Sequence, residues 1–290
     1  MMKTKNKITI SINGGIGRNI AFTGVLKEFI KNNKDKEINL LASFPEIFMN
    51  IEGINKIYPF HTPYLYDNVI KDSIFIEPEP YKQPEYYNEN KHITYCFNKE
   101  LNNKKENINP NMSFTKEELM RAKGFVDSQK KPVILIQPFG SGFKEGIDKQ
   151  KKSLKSPFIK DLVKELEKDY KLFIIKSKEQ KIDVKVDTFM NNTLREQIAL
   201  LPFVKALITV DSFMLHAASQ FNTKTFCFWG TTREGNLGYD KHINIRNDVK
   251  LEWQPIRLPN NNIMEESKNV GINEFYEKHI NKIKEHYFLH

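Results

Sequence analysis

The sequence predicts an α/β protein built from two doubly wound domains, and three observations predict it. Short apolar β-type runs alternate with amphipathic helical stretches along most of the 290 residues. Ser128-Gln129-Lys130-Lys131-Pro132 interrupts that alternation, and a second β/α series begins directly after it. The length also suits two cores of about 120–150 residues better than one. The expected division is 1–128 for the first domain, 129–271 for the second, and 272–290 for a terminal helix packing back towards the first.

Lys7 to Asn13 alternates as a strand, and Gly14-Gly15-Ile16-Gly17 follows as a tight glycine loop. Ile20 to Lys31 is an amphipathic helix with Ile20, Val25, Leu26, Phe29 and Ile30 on one face. Glu37 to Ser43 is a strand, Pro45 opens a short helix, and Lys56 to Phe60 and Ser73 to Ile76 are further strands. From there to Asn111 the chain is rich in Pro, Tyr and Asn, with one helical stretch near His92–Leu101. Thr115 to Asp127 reads as a helix that starts with a capping box, Thr115 with Glu118. In the second series Val133 to Gln137 is a strand, and the loop Pro138 to Lys155 leads to a helix from Ser156 with Pro157 in its first turn. Leu172 to Lys176 is a strand, Thr193 to Leu201 a short helix, His242 to Ile245 a last strand, and Ile272 to Phe288 an amphipathic helix.

The centre of the second series is Lys205 to Gly230, which reads strand, turn, helix, turn, strand. Ala206 to Val210 is a buried parallel strand, Asp211 or Ser212 caps the next helix, and Thr225 to Trp229 is the following strand. Ligands of such units sit beyond the carboxyl ends of the strands, where a helix N-terminus attracts anions. Asp211, Ser212 and the amides of Ser212 to Met214 are therefore expected to converge on one site, with His216 a turn further on.

Composition bounds the possibilities. Apolar residues make up 39% of the chain and aromatics 12%, enough for packed cores. No apolar run approaches the roughly 18 residues of a membrane span, and the N-terminus has no apolar signal segment. A location in the cytoplasm or at the inner face of the membrane is the expectation. Cys96 and Cys227 are expected to be buried free thiols. The net charge of +9 permits an anionic partner. Lysine, asparagine and isoleucine are all abundant, however, and the lysines are scattered among acids, so much of that charge is solvated background. No zinc-type Cys/His spacing, Walker lysine motif, G-x-S-x-G elbow or Asp-x-Asp metal handle is present.

The segment DSFMLHAASQ, followed by FCFWGTT and a later GYD, resembles the signature of the ADP-heptose:lipopolysaccharide heptosyltransferase family, glycosyltransferase family nine. ITISINGGIGRNIAFTGVLKEF is similar to that family's first strand, glycine loop and helix; ILIQPFGSG with KSLKSP, and LREQIALLPFVKALITVDS, resemble its second domain. The resemblance implies a GT-B fold of two Rossmann-like domains facing across a cleft. It implies an inverting, metal-independent transferase of lipopolysaccharide biosynthesis that needs no cofactor beyond its donor, an ADP-linked or other nucleotide-diphosphate sugar carrying a heptose or hexose. The nucleotide would sit on the second domain, and an anionic glycan or glycolipid acceptor on the first.

By the same resemblance, Asp211, Ser212 and Phe213 fall on the diphosphate turn, Glu179 near a ribose-binding acid, and Lys152 or Lys155 on a phosphate-neutralising lysine. Gly14, Gly15, Gly17, Ser141, His216 and Thr231 complete the expected donor-binding set. The chain also departs from the family pattern. Where relatives carry an aspartate as general base it has Arg18 and Asn19, and Phe213 replaces the signature glycine. The lysine turn, Lys155-Ser156-Pro157, lacks its tryptophan, and the loop after Gly230 lacks the usual proline-rich form. Arg18 is expected to bind the donor diphosphate or an anionic acceptor, its fork suiting either. A replacement base would be an acid of the first domain, Glu46 or Asp67. Alternative readings are transfer to a modified base in DNA, for which no groove-reading helix or arginine cluster is visible, and a non-catalytic nucleotide-sugar binder.

Overall fold

The computed structural model describes residues 6–105, 108–140, 143–144, 147–148, 152–189, 192–246, 253–257, 263–267, 280 and 283. The chain divides into two compact units, Met1–Thr115 and Lys116–His290.

In the first unit β1 (Lys7–Ile12) runs into α1 (Ile16–Asn32), and β2 (Glu37–Ala42), β3 (Ile54–Pro59) and β4 (Ile74–Ile76) follow. Their order in the sheet is β3-β2-β1-β4, all parallel. β1 and β2 are buried almost throughout, the near-continuous apolar pattern of a sheet covered on both faces. α1 covers the sheet with Ile20, Phe22, Val25, Leu26 and Phe29. Phe22 meets Phe97 of α3 (Ile93–Glu100) edge-on at 5.0 Å; the short α2 (Pro84–Asn88) precedes that helix. The chain reverses direction in the sheet between β1 and β4, which makes the gap beyond their carboxyl ends the topological switch point of this unit.

The second unit opens with α4 (Lys116–Asp127). The expected boundary at residue 128 therefore shifts to before this helix. Packing explains the shift: Phe125 meets Phe173 tilted (5.3 Å) and Phe189 edge-on (5.5 Å), and Arg195 grips the Glu118 carboxylate at 2.6 and 2.7 Å. Glu118, read from the sequence as a capping residue, thus also makes an ion pair with an arginine 77 residues on.

β5 (Val133–Gln137), the hairpin β6 (Phe143–Lys144) and β7 (Ile147–Asp148), α5 (Ser156–Leu166), β8 (Lys171–Ile175), β9 (Asp187–Phe189) and α6 (Leu194–Ala199) come next. Then follow β10 (Ala206–Val210), α7 (Phe213–Ala218), β11 (Lys224–Phe228), α8 (Glu234–Leu237), β12 (Ile243–Ile245) and the antiparallel pair β13 (Trp253–Arg257) and β14 (Ile263–Ser267). The six-stranded parallel sheet runs β12-β11-β10-β5-β8-β9, the doubly wound dinucleotide-binding order, with its switch point between β5 and β10. Ile134, Ile136, Phe158, Leu162, Ile208 and Phe228 build its core. The expected terminal helix lies outside the described residues except for Ile280 and Ile283. Those two pack on the core of the second unit. Cys96 and Cys227 are buried and free.

Candidate functional site

β10 delivers Asp211 and β5 delivers Gln137 to the carboxyl edge of the second sheet, one on each side of the switch point. Asp211 is 6% exposed. Its Oδ2 accepts from Lys152 Nζ (2.7 Å) and from Thr232 Oγ1 (2.7 Å). Local pairing of two loop segments brings Lys152 there: the Leu154 amide donates to the Pro138 carbonyl (2.8 Å) and the Gly140 amide to Ser153 Oγ (2.9 Å). A side chain at Gly140 would place its Cβ 3.0 Å from the Lys152 Cβ, so glycine lets the two segments close.

Burial alone would raise the Asp211 carboxyl, but the charge and hydrogen bond of Lys152, with His216 and Thr232 assisting, hold it below the usual carboxylate range. His216 is pushed down to about 4, chiefly by burial and partly by Lys152, against the pull of Asp211. Its Nδ1 lies 2.9 Å from the Tyr239 hydroxyl, whose own ionisation burial suppresses. His216 is therefore a neutral, buried brace of the site wall.

The cap and the amides differ in part from expectation. Ser212 occupies the N-cap position of α7 without a side-chain capping bond, and the Asp211 carboxylate is committed to Lys152 and Thr232. The Met214 amide donates to Gln137 Oε1 (3.3 Å), which also accepts from Thr209 Oγ1 (3.2 Å). Of the three amides expected to await a ligand, one is thus taken by the protein itself. Those of Ser212 and Phe213 have no partner among the described residues, and both residues are partly exposed.

Of the two candidate lysines, Lys152 stands beside Asp211, whereas Lys155 is exposed at the N-cap of α5. Glu179 is exposed on the turn after β8, and Thr231 is buried in the loop after β11. Ser141 lies outside the described residues. Sequence reasoning missed Gln137, Thr232 and Arg246. Arg246 donates to the Gly230 carbonyl (3.0 Å) and the Thr232 carbonyl (2.7 Å) with its guanidinium over Trp229, and so sets the loop that presents Thr232 to Asp211. No spacing rule marks such an arginine, because its partners are backbone carbonyls.

In the first unit Gly14 adopts φ 86°, and a Cβ there would meet the Arg18 Cδ at 3.0 Å. Gly15 is the N-cap of α1, and Gly17 lies in that helix's first turn. Arg18 is 6% exposed. Its Nη1 reaches both Glu79 oxygens at 3.0 Å, its Nη2 donates to the Pro78 carbonyl (2.9 Å), and its plane lies over Tyr81 and Phe97. This corrects the expectation of a ligand-binding arginine, since the fork is filled by the protein's own carboxylate. Asn19 is buried and clamps the glycine turn, donating to the Gly15 carbonyl (3.0 Å). Neither residue is placed to take up a proton. Among the described residues no three His, Cys, Asp or Glu side chains converge as a metal site.

Two parallel-stranded α/β units, each with its polar groups gathered beyond the carboxyl edge of its sheet, define a GT-B type of architecture. No family model and no curated protein matches the chain. Solved structures do. E. coli ADP-heptose lps heptosyltransferase II is similar with a TM-score of 0.66 at 12% identity, covering 84% of this chain and 91% of that one. The glycosyl transferase family 9 protein of Veillonella parvula gives 0.63 at 10% identity, covering 84% and 86%. E. coli heptosyltransferase WaaC with ADP gives 0.60 at 8% identity, covering 97% and 99%. The chain shares the fold of the family-nine heptosyltransferases.

Proposed function

We propose that the chain is a glycosyltransferase that moves a heptose-like or hexose sugar from a nucleotide-diphosphate donor to a hydroxyl of a glycan or glycolipid, with inversion and without a metal. The observation that carries this reading is the pair Lys152–Asp211 beside the open amides of Ser212 and Phe213, at the switch point of a six-stranded parallel sheet. A departing diphosphate needs its negative charge met in a place of low dielectric. Lys152 supplies ammonium hydrogens whose charge Asp211 offsets only until a ligand anion shares it. Asp211, itself held by Thr232, fixes the position of Lys152, and the two amides supply fixed dipoles that need no reorganisation. The fold supports the reading, and two similar structures carry ADP-heptose or ADP in their descriptions, which favours an ADP-linked donor and a saccharide acceptor. Fold alone does not assign activity.

A thermal-shift screen of ADP-, UDP-, GDP- and CDP-sugars tests it, run with and without chelator. One donor class should raise the melting temperature by a few degrees, since a ligand at 100 times its Kd adds about 2.7 kcal/mol. Lys152→Met should weaken that donor about 10- to 100-fold, the loss of one charge-assisted contact. No shift with any of the four classes, or a strict need for manganese, would overturn the reading. A non-catalytic binder is the second reading, favoured by the commitment of Arg18 to Glu79; donor binding with no release of nucleoside diphosphate would select it. No described helix is long and apolar enough to cross a membrane, so work on a lipid-linked acceptor would be done from the membrane face.

A further inference from the structure

Resting on that reading, we propose that Glu77 is the general base that takes the proton of the acceptor hydroxyl. Glu77 is the residue directly after β4, exposed, and β4 lies next to β1 in the sheet. It therefore stands at the switch point of the first unit, where ligands of open parallel sheets bind. Asn13, the residue directly after β1, donates from Nδ2 to Glu77 Oε1 (3.3 Å), and Ser11 Oγ reaches the same oxygen at 3.5 Å. One carboxylate oxygen is anchored to the neighbouring strand end, and the other, Oε2, has no partner among the described residues.

The other acids of this region are otherwise engaged. Glu79 binds Arg18 and accepts from the Tyr81 amide. Glu100 accepts from the Glu79 amide (2.6 Å) and from Gln83 Nε2 (2.7 Å). Asp67 pairs with Lys71 (3.6 Å), and Glu46 follows β2, away from the switch point. The positive charge of Arg18 is neutralised by Glu79 without drawing on Glu77.

In the step itself the hydroxyl oxygen bonds to the anomeric carbon as its proton passes to Glu77 Oε2. The bond from that carbon to the diphosphate oxygen breaks, and its electron pair leaves with the nucleoside diphosphate. Glu77 then returns the proton to water.

The test uses the full chain, the donor class found by thermal shift, and water plus a panel of mono- and disaccharides as acceptors, reading nucleoside diphosphate release. Glu77→Gln should keep the donor-induced melting shift and lower release about 100-fold or more, the usual contribution of a general base. Sodium azide attacks without giving up a proton, so it should restore release in Glu77→Gln towards the wild-type level and yield a glycosyl azide of inverted configuration. Glu52→Gln, at an exposed acid on the turn before β3, should release at the wild-type rate. Unchanged release in Glu77→Gln, or loss that azide does not restore, would overturn the assignment. A wild-type chain that binds a donor and never releases nucleoside diphosphate would overturn it too. Failure of the wild-type chain to bind any donor would instead overturn the parent reading, and so separates the two.

Discussion

Asp211 and Lys152 are each nearly shut off from water, and each is the main compensation for burying the other. Removing one charge from a buried pair leaves its partner uncompensated, which costs about 3–5 kcal/mol. Lys152→Met and Asp211→Asn should each lower stability by about that much in urea unfolding. The double variant should lose clearly less than the sum, because it leaves no orphaned charge. Strictly additive losses would show that the two groups do not compensate one another. The sequence marked Asp211 as a site residue and left Lys152 and Lys155 as equal candidates. What separates them is the pairing of residues 138–140 with 152–154, which no spacing in the chain announces. Arg18 is the opposite case. Its position in the turn was legible, but the carboxylate that fills its fork stands 61 residues away.

Helices and strands were far more legible than their partners. β10, β5 and α5 fall where apolar runs and Pro157 placed them, because buried parallel strands are continuously apolar and a proline in the first helical turn needs no amide partner. β9 was missed: it is three residues long, lies at the sheet edge, and starts with an aspartate after Lys185 and Val186. The capping spacing of Thr193–Glu196 was legible and the full reciprocal box forms there, whereas the grip of Glu118 on Arg195 left no local signal. Two helix glycines make a test at this scale. In α1, a Cβ on Gly24 would fall 2.0 Å from the Asn109 carbonyl oxygen, a backbone atom of a segment also tied to the helix by the Asn111 amide on Thr23. In α4, Gly124 is exposed, with nothing within 4 Å of such a Cβ. Gly24→Ala should therefore destabilise by at least about 1–3 kcal/mol through overpacking. Gly124→Ala should stabilise by about 0.5–1 kcal/mol by helix propensity. Denaturant midpoints that moved in the same direction would refute the close approach at Gly24.

At the scale of the whole chain, the order of β/α units was readable because each unit buries its own apolar face. The polar ties between distant elements of the second unit were not: Gln137 to Met214 and Glu118 to Arg195 each span 77 residues. Burial of titratable groups sets how the protein responds to acid. Burial holds His216 down at about 4, and it holds His242 at about 3 with help from Lys241 and His216. An unfolded histidine titrates near 6.5, so below about pH 6.5 the unfolded state of the second unit takes up protons that the folded state refuses. Stability from these two residues is complete above that pH and is lost as pH falls towards 4 and then 3; Asp211, held low, adds a further loss below the usual carboxylate range. In the first unit Glu100 works in the opposite sense, because burial raises its carboxyl and the folded state binds that proton more readily. Acid should accordingly weaken the second unit before the first. Both tryptophans, Trp229 and Trp253, lie in the second unit, so their fluorescence reports it selectively. Between pH 7.5 and 5 the urea midpoint followed by tryptophan should fall. Among the described residues His242 has no hydrogen-bond partner on either ring nitrogen, so His242→Phe forfeits none of the described bonds at neutral pH. It should make the fall shallower by up to about 1.4 kcal/mol per pH unit, the weight of one proton. A pH slope that is the same in His242→Phe and wild type would mean that this ring is not kept neutral by its burial.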